Sequence, residues 1–214
     1  MQEELVKAWQ LFDLGELAAS ESLYLDCFRQ VSDANHEAYM SVLLGLIYVE
    51  SFLEKYDEAR NYAKLLVNTV QNEEEKHIAI HQFGMVERMA GNYCEAMKLF
   101  QQEADLIHMA FPDEELLLAA NLYEQAYIEL KMGNVDSAEE IMNLSMKHAK
   151  LAEDNICIGC SYRGMGEILK TRGDTERAMH CFEIAIEAFS EAGDLVAVEE
   201  VKAVAGMDRR IDKE

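Results

Sequence analysis

Gly91-Asn92-Tyr93-Cys94-Glu95-Ala96 returns as Gly133-Asn134-Val135-Asp136-Ser137-Ala138 and again as Gly173-Asp174-Thr175-Glu176-Arg177-Ala178. Two weaker copies lie upstream, Gly15-Glu16-Leu17-Ala18-Ala19-Ser20 and Glu54-Lys55-Tyr56-Asp57-Glu58-Ala59. The closing small residues stand at 20, 59, 96, 138 and 178, a period of 37 to 42 residues. Self-similarity at a fixed period marks an array of repeated supersecondary units. Gly can adopt the left-handed conformation that ends a helix, and Asn or Asp beside it can cap the next one. The small residue that follows lets two antiparallel helices approach closely.

Outward from this motif the pattern continues in both directions. Seven residues before the Gly stands another small residue, Ala8, Gly84, Ala126 or Gly166. In the second unit that place falls on Ile47, with Gly45 two residues earlier, which reads as a helix lengthened or irregular there. Four residues after the closing small residue come Tyr24, Ala63, Phe100, Met142 and Phe182, of which the large ones would plug the gap between hairpins. The expected hairpins cover about 2–32, 35–71, 74–109, 114–152 and 154–192, with a capping helix at 194–206 in one domain and a charged tail at 207–214. Phe111-Pro112-Asp113 is the clearest break, with Asp113 the expected cap of a helix beginning at Glu114.

Composition agrees. One Pro and 11 Gly in 214 residues, half of them hydrophobic, leave little to break helices and enough apolar surface for a sizeable core. A net charge of -22 repels phosphate backbones and anionic lipid heads, so nucleic acid and membrane are excluded as partners. Five Cys, an odd number, and a first segment that reads as charged helix point to reduced thiols in the cytoplasm.

Taken together, Phe83-Gly84, Gly91-Asn92-Tyr93, Ala96 and Phe100, then Gly166, Gly173-Asp174, Ala178 and Phe182, resemble the tetratricopeptide repeat. The long period is similar to that of bacterial peptide-sensing receptors and kinesin light chains. The resemblance covers about residues 1–192. It implies an all-α fold, a right-handed α-α superhelix of about five helical hairpins plus a C-terminal capping helix, whose concave face is lined by the first helix of each hairpin.

On the family's offsets, that face would hold Leu5, Trp9 and Phe12 in the first hairpin and, aligned on Gly45, Tyr39, Val42, Leu46 and Val49 in the second; Trp9, Phe12 and Leu46 read equally well as core between repeats. The third offers Ile78, His81, Gln82, Met85, Arg88 and Met89. The fourth offers Tyr123, Glu124, Tyr127, Leu130 and Lys131, and the fifth Cys160, Arg163, Glu167 and Lys170. Aromatic and Met side chains make adaptable apolar contacts, and Arg pairs with carboxylates. The expected ligand is a peptide or protein segment with an acidic group or a free C-terminus. Peptide-sensing receptors hold their ligand backbone with Asn side chains. Here Gln82 stands in that region without an Asn series, so a binding scaffold is the first reading. A regulatory receptor acting through a separate effector is the second, and self-association is left open.

Nothing in the motifs asks for a cofactor or for catalysis. Cys157-Ile158-Gly159-Cys160 is a lone CxxC that reads as mid-helix, with Cys181 and His180 a hairpin-half away; small buried hydrophobes are the first reading and a metal or redox site the second. His77 and His81 share a helical face, but no His-Glu-x-x-His and no second Glu-x-x-His accompany them. Glu114-Glu115 and Glu199-Glu200 read as dipole partners or solvated faces.

Overall fold

The computed structural model describes residues 1–207; most of the charged tail expected over 207–214 lies outside the described residues. Among the described residues there are eleven helices and no strand. They are α1 (Gln2–Asp13), α2 (Leu17–Gln30), α3 (His36–Phe52), α4 (Tyr56–Thr69), α5 (Glu73–Met89), α6 (Tyr93–Ala110), α7 (Glu115–Lys131), α8 (Val135–Ala152), α9 (Asn155–Thr171), α10 (Thr175–Ala192) and α11 (Leu195–Ala205). The fold is all-α, with the five hairpins and terminal helix anticipated from the repeat. The chain resolves into two compact units, Met1–Leu106 and Ile107–Glu214.

The turn chemistry follows the motif, with two differences. Gly15, Gly91, Gly133 and Gly173 all have positive φ, and in the second hairpin Glu54 adopts φ 60° in the same place. A non-glycine residue there carries a steric cost that the other hairpins avoid. Asp154, Asp174 and Asp194 accept the backbone N–H of Cys157 (2.8 Å), Arg177 (3.2 Å) and Ala197 (2.9 Å). Such caps contribute about 1 kcal/mol each. Asn134 makes no side-chain cap hydrogen bond; its Nδ2 donates backwards to Glu129, 2.7 Å, just as Asn92 donates to Glu87, 2.7 Å. The break at Pro112 also differs in detail. The helix starts at Glu115, with Glu114 in the cap position and no side-chain cap hydrogen bond, so Asp113 does not cap it.

Close approach explains the small residues. A Cβ placed on Gly84 would stand 2.8 Å from the Phe100 ring, and one on Gly166 would stand 2.6 Å from Phe182. In these hairpins the bulky residue of the second helix fills the space that the first helix leaves. Gly45 and Gly164 do the same job between hairpins, since a Cβ there would meet Tyr24 at 2.1 Å and Met142 at 2.3 Å. Gly45 is therefore the counterpart of Gly164, two residues before the hairpin anchor, and Ile47 is the anchor. Ile47 and Ala63 lie buried in one cluster with Leu43, Ala59 and Leu66. The large and small residues have changed helices in this hairpin, with volume conserved. Accordingly α3 has 17 residues, as α5, α7 and α9 have, and is not lengthened.

Buried polar groups are paired in the same economical way. Ser20, a closing small residue, donates to the carbonyl of Ala8, 2.8 Å, and Ser145 donates to Ala119, 2.9 Å. Glu87, buried on α5, receives Arg60 of α4 at 2.6 Å and 3.2 Å, tying the second hairpin to the third.

Glu50 is a buried carboxyl without so close a cation. It is buried on α3, with Glu21 and Glu58 nearby and Lys55 at 3.8 Å, while Lys55 itself sits closer to Glu21, 2.5 Å. Burial first, and the Glu21 charge second, push the Glu50 carboxyl from 4.5 up to about 7. A carboxyl whose pKa rises on folding binds its proton more tightly in the folded chain. Stability therefore falls as pH rises from the ordinary carboxylate value towards 7, and the loss is complete above that. Glu50→Gln is expected to raise stability by about 1–3 kcal/mol at pH 8 and to change little at pH 5. Thermal melts of both chains across this range check it; a gain of equal size at both pH values contradicts it.

Candidate functional site

In the first unit the helices α1 and α3 leave an apolar groove between them. It has a volume of about 560 Å³, and Leu5, Val6, Trp9, Leu44, Gly45 and Tyr48 line it. Tyr24, packed on Gly45, forms part of its floor. Trp9 stands 42% exposed with its ring stacked on Phe12 at 5.3 Å and edge-on to Tyr48 at 5.7 Å. Phe52, exposed, meets Phe12 edge-on at 5.1 Å. Four aromatic rings thus form one partly solvated cluster along two helices. The Tyr48 side chain hydrogen-bonds Gln82 of α5, which carries the same face into the third hairpin.

The phase of α3 decides which residues reach this groove. With Ile47 as the anchor, Ser41, Leu44, Gly45, Tyr48 and Phe52 take the positions that Ile78, His81, Gln82, Met85 and Met89 hold in α5. The set anticipated from Gly45 was two residues out of phase. Leu46 is 0% exposed, buried with Ala8, Tyr24, Val42 and Val49, and is core rather than groove. Tyr39 is half-buried and stacks on Phe28 at 6.0 Å, away from the groove lining. Counting back from the left-handed turn at Glu54, instead of searching for a glycine, would have found Tyr48.

In the third hairpin, His81 hydrogen-bonds Glu103 at 2.9 Å and 3.1 Å, and His77 approaches the same carboxylate at 2.9 Å. Glu103 is fully buried on α6. The His pair is thus held by a buried carboxylate. Met85 accepts Arg88 Nη2 at its sulfur, 3.4 Å, and both are half-buried.

The second unit brings its inner-face residues together, but as pairs. Tyr123 and Tyr127 lie with rings 6.3 Å apart, and Lys131 Nζ sits 4.7 Å over the Tyr127 ring. Lys131 also lies 3.8 Å from Glu167. Arg163 pairs with Glu167 at 3.4 Å and Glu200 of α11 at 2.7 Å. Lys170 donates to the carbonyl of Val204 near the end of α11, 2.6 Å, where a cation also meets the negative helix terminus. These three cations were expected to face solvent or a ligand's acidic group. Lys131 and Lys170 are indeed exposed, but Arg163 and Lys170 also fasten the terminal helix to α9, and Lys131 and Arg163 balance Glu167.

The CxxC lies in the first turns of α9, not in mid-helix. Burial pushes both Cys157 and Cys160 thiols up to about 12, outweighing their place near the helix N-terminus. They stay protonated at neutral pH and pack as small hydrophobes. Cys181 is buried in the core of the unit, while His180 is exposed and faces Glu183 at 3.9 Å. Among the described residues, no cluster of three or more His, Cys, Asp or Glu has the geometry to hold a metal ion. No helix among them is long and apolar enough to cross a membrane.

No protein-family model matches the chain, and no curated protein matches its sequence. Solved structures do match its fold. A thermophilic TPR protein from Thermus thermophilus superposes with a TM-score of 0.67 at 17% identity, over 96% of this chain and 98% of that one. BtubC (BKLC) from P. vanneervenii gives 0.65 at 13% identity, over 91% and 90%. A structure of the Podosopora anserina putative kinesin light chain TPR-like repeats gives 0.65 at 13% identity, over 90% and 95%. At these identities the likeness concerns architecture alone. Joined to the five hairpins and their recurring glycine and small-residue anchors, it makes the chain a tetratricopeptide-type helical repeat protein in fold.

Proposed function

We propose that the protein is a non-enzymatic scaffold that holds a segment of another polypeptide in the α1–α3 groove. The observation that carries this reading is the partly solvated aromatic cluster of Trp9, Phe12, Tyr48 and Phe52 along an apolar cleft. Exposed contiguous apolar surface is costly in water, and clustered aromatic residues dominate the energy of protein interfaces. The groove is the size of a few side chains, so an aliphatic or aromatic anchor of an extended or helical segment suits it. With Lys131, Arg163 and Lys170 engaged within the second unit, the apolar anchor and not an acidic terminus becomes the chief determinant. The fold's kinship with TPR proteins supports the same reading, as does a charge of -22 that disfavours nucleic acid and anionic membrane.

Selection of a random peptide library on the immobilised chain tests this. Enriched peptides are expected to share an aliphatic or aromatic residue and to bind Trp9→Ala and Tyr48→Ala chains at least tenfold more weakly. Both variants change partly exposed side chains, and circular dichroism should show their helices intact. Enriched peptides that bind both variants as tightly as the parent chain contradict the proposal.

A further inference from the structure

Three connections between hairpins, α6–α7, α8–α9 and α10–α11, lie at one end of the antiparallel hairpins in the second unit. Side chains join them along that edge. His148 near the end of α8 contacts Glu115 at the start of α7, 2.5 Å, and Asn155 at the start of α9 donates to Glu191 at the end of α10, 3.1 Å. This edge carries Met109, Leu116, Leu151, Ile156, Leu195 and Val196, all 40–78% exposed.

The residues are not scattered. Leu116 and Ile156 hold equivalent repeat positions, each 22 residues before its closing small residue, Ala138 or Ala178, and Val196 follows Ile156 by a further 40. Met109 and Leu151 are likewise equivalent, each 13 residues after its own small residue, Ala96 or Ala138. In the first unit the positions matching Leu116 are Glu37 and Glu74, and among the described residues no large hydrophobic is exposed at its connections, 31–35 and 70–72. One unit keeps this edge polar while the other repeats an apolar residue along it. Leu116 and Ile156 stand at the starts of α7 and α9, which pack on one another, and packed helices lie about 8–10 Å apart, so the two form a ridge with roughly that spacing; Val196 extends the apolar surface onto α11, which packs on α10.

Exposed acids border the ridge at Asp113, Glu114, Glu153 and Glu191. The nearby cations are Lys147 and Lys150, and Lys150 is drawn over the Tyr162 ring at 5.1 Å. We infer that this edge of the second unit is a docking surface for a basic amphipathic helix with an apolar residue at every seventh position. Seven residues of helix rise about 10.5 Å, matching the ridge, and Lys or Arg between them meet the acidic border. A second copy would bring like charges together along the same border. This surface is separate from the groove of the first unit and stands or falls independently of it.

A synthetic peptide of about 21 residues with Leu at heptad spacing among Lys and Ala serves as probe, its control a permutation of the same composition. Fluorescence anisotropy with the full chain is expected to show binding of the heptad peptide at least tenfold tighter than the permuted one. Leu116→Asp with Ile156→Asp is expected to weaken it at least tenfold. The added acids favour any purely electrostatic association with a basic peptide, so a loss isolates the apolar ridge. Leu65→Asp, at an exposed position of the first unit, should leave it unchanged. Equal binding of the two peptides, or undiminished binding by the double variant, overturns the inference. So does a parent chain that sediments as a dimer and becomes monomeric on the double substitution, since the occupant is then a second copy.

Discussion

Phe182→Ala is expected to destabilise the chain by about 3–5 kcal/mol, the largest effect of any single truncation proposed for this fold. Phe182 is buried in the core of the second unit, and its ring occupies the hollow that Gly166 leaves on α9. Truncation removes the ring's burial and opens a cavity on both sides. The hollow cannot collapse readily, because the first helix already lacks a side chain at that place. Urea unfolding followed by circular dichroism measures the loss. A cost below about 1 kcal/mol would mean that the small-residue anchor does not set hairpin packing.

Gly45→Ala is the second large effect, and it acts in the opposite sense, by overfilling. Its Cβ would stand 2.1 Å from the Tyr24 ring, far inside contact distance. Either the ring or the helix must move, which costs about 1–3 kcal/mol or more. Tyr24→Leu in the same chain should return part of that loss, a favourable coupling between the two substitutions that a double-mutant cycle resolves. The same cycle distinguishes the two roles of glycine in this fold. Gly45 receives a residue from the preceding hairpin, whereas Gly166 receives one from its own. Additive costs would show that the two positions do not touch in the way described.

The repeat was legible because its punctuation is local. A left-handed glycine, a polar residue beside it and a small residue sit within six positions; backbone sterics set the first, and the close approach of two helices sets the last. The second hairpin was misphased because its volumes have changed partners. Ile47 took the large share and Ala63 the small one, so Gly45 looked like the missing anchor. Sequence shows residue sizes one at a time, whereas the conserved quantity is the sum across two helices. That error carried Leu46 into the expected site and left Tyr48 out.

The cations of the second unit illustrate another limit. Arg163, Glu167 and Lys170 share a face of α9, as helical spacing requires, and Lys131 of α7 reaches Glu167. Their use as fasteners depends on Glu200 and the Val204 carbonyl, which α11 brings back across that face. The Cys pair was read as mid-helix although the fifth hairpin was expected to begin at 154; Asp154 caps α9, which puts both thiols in its first turns. By contrast, Ala8 fixes the phase of α1, and Trp9, read from that phase, lines the α1–α3 groove with Phe12 stacked on it.

Trp9 is the chain's single tryptophan and stands at the mouth of the α1–α3 groove, so its own emission reports occupancy there. Titrating the full chain with the most enriched library peptide that carries no tryptophan is the direct measurement. A saturable blue shift is expected as Trp9 is covered, with the same midpoint as binding seen by anisotropy, and at least tenfold weaker anisotropy binding by Tyr48→Ala. A peptide that binds by anisotropy while Trp9 emission stays constant and Tyr48→Ala binds unchanged would place the partner elsewhere and contradict the account.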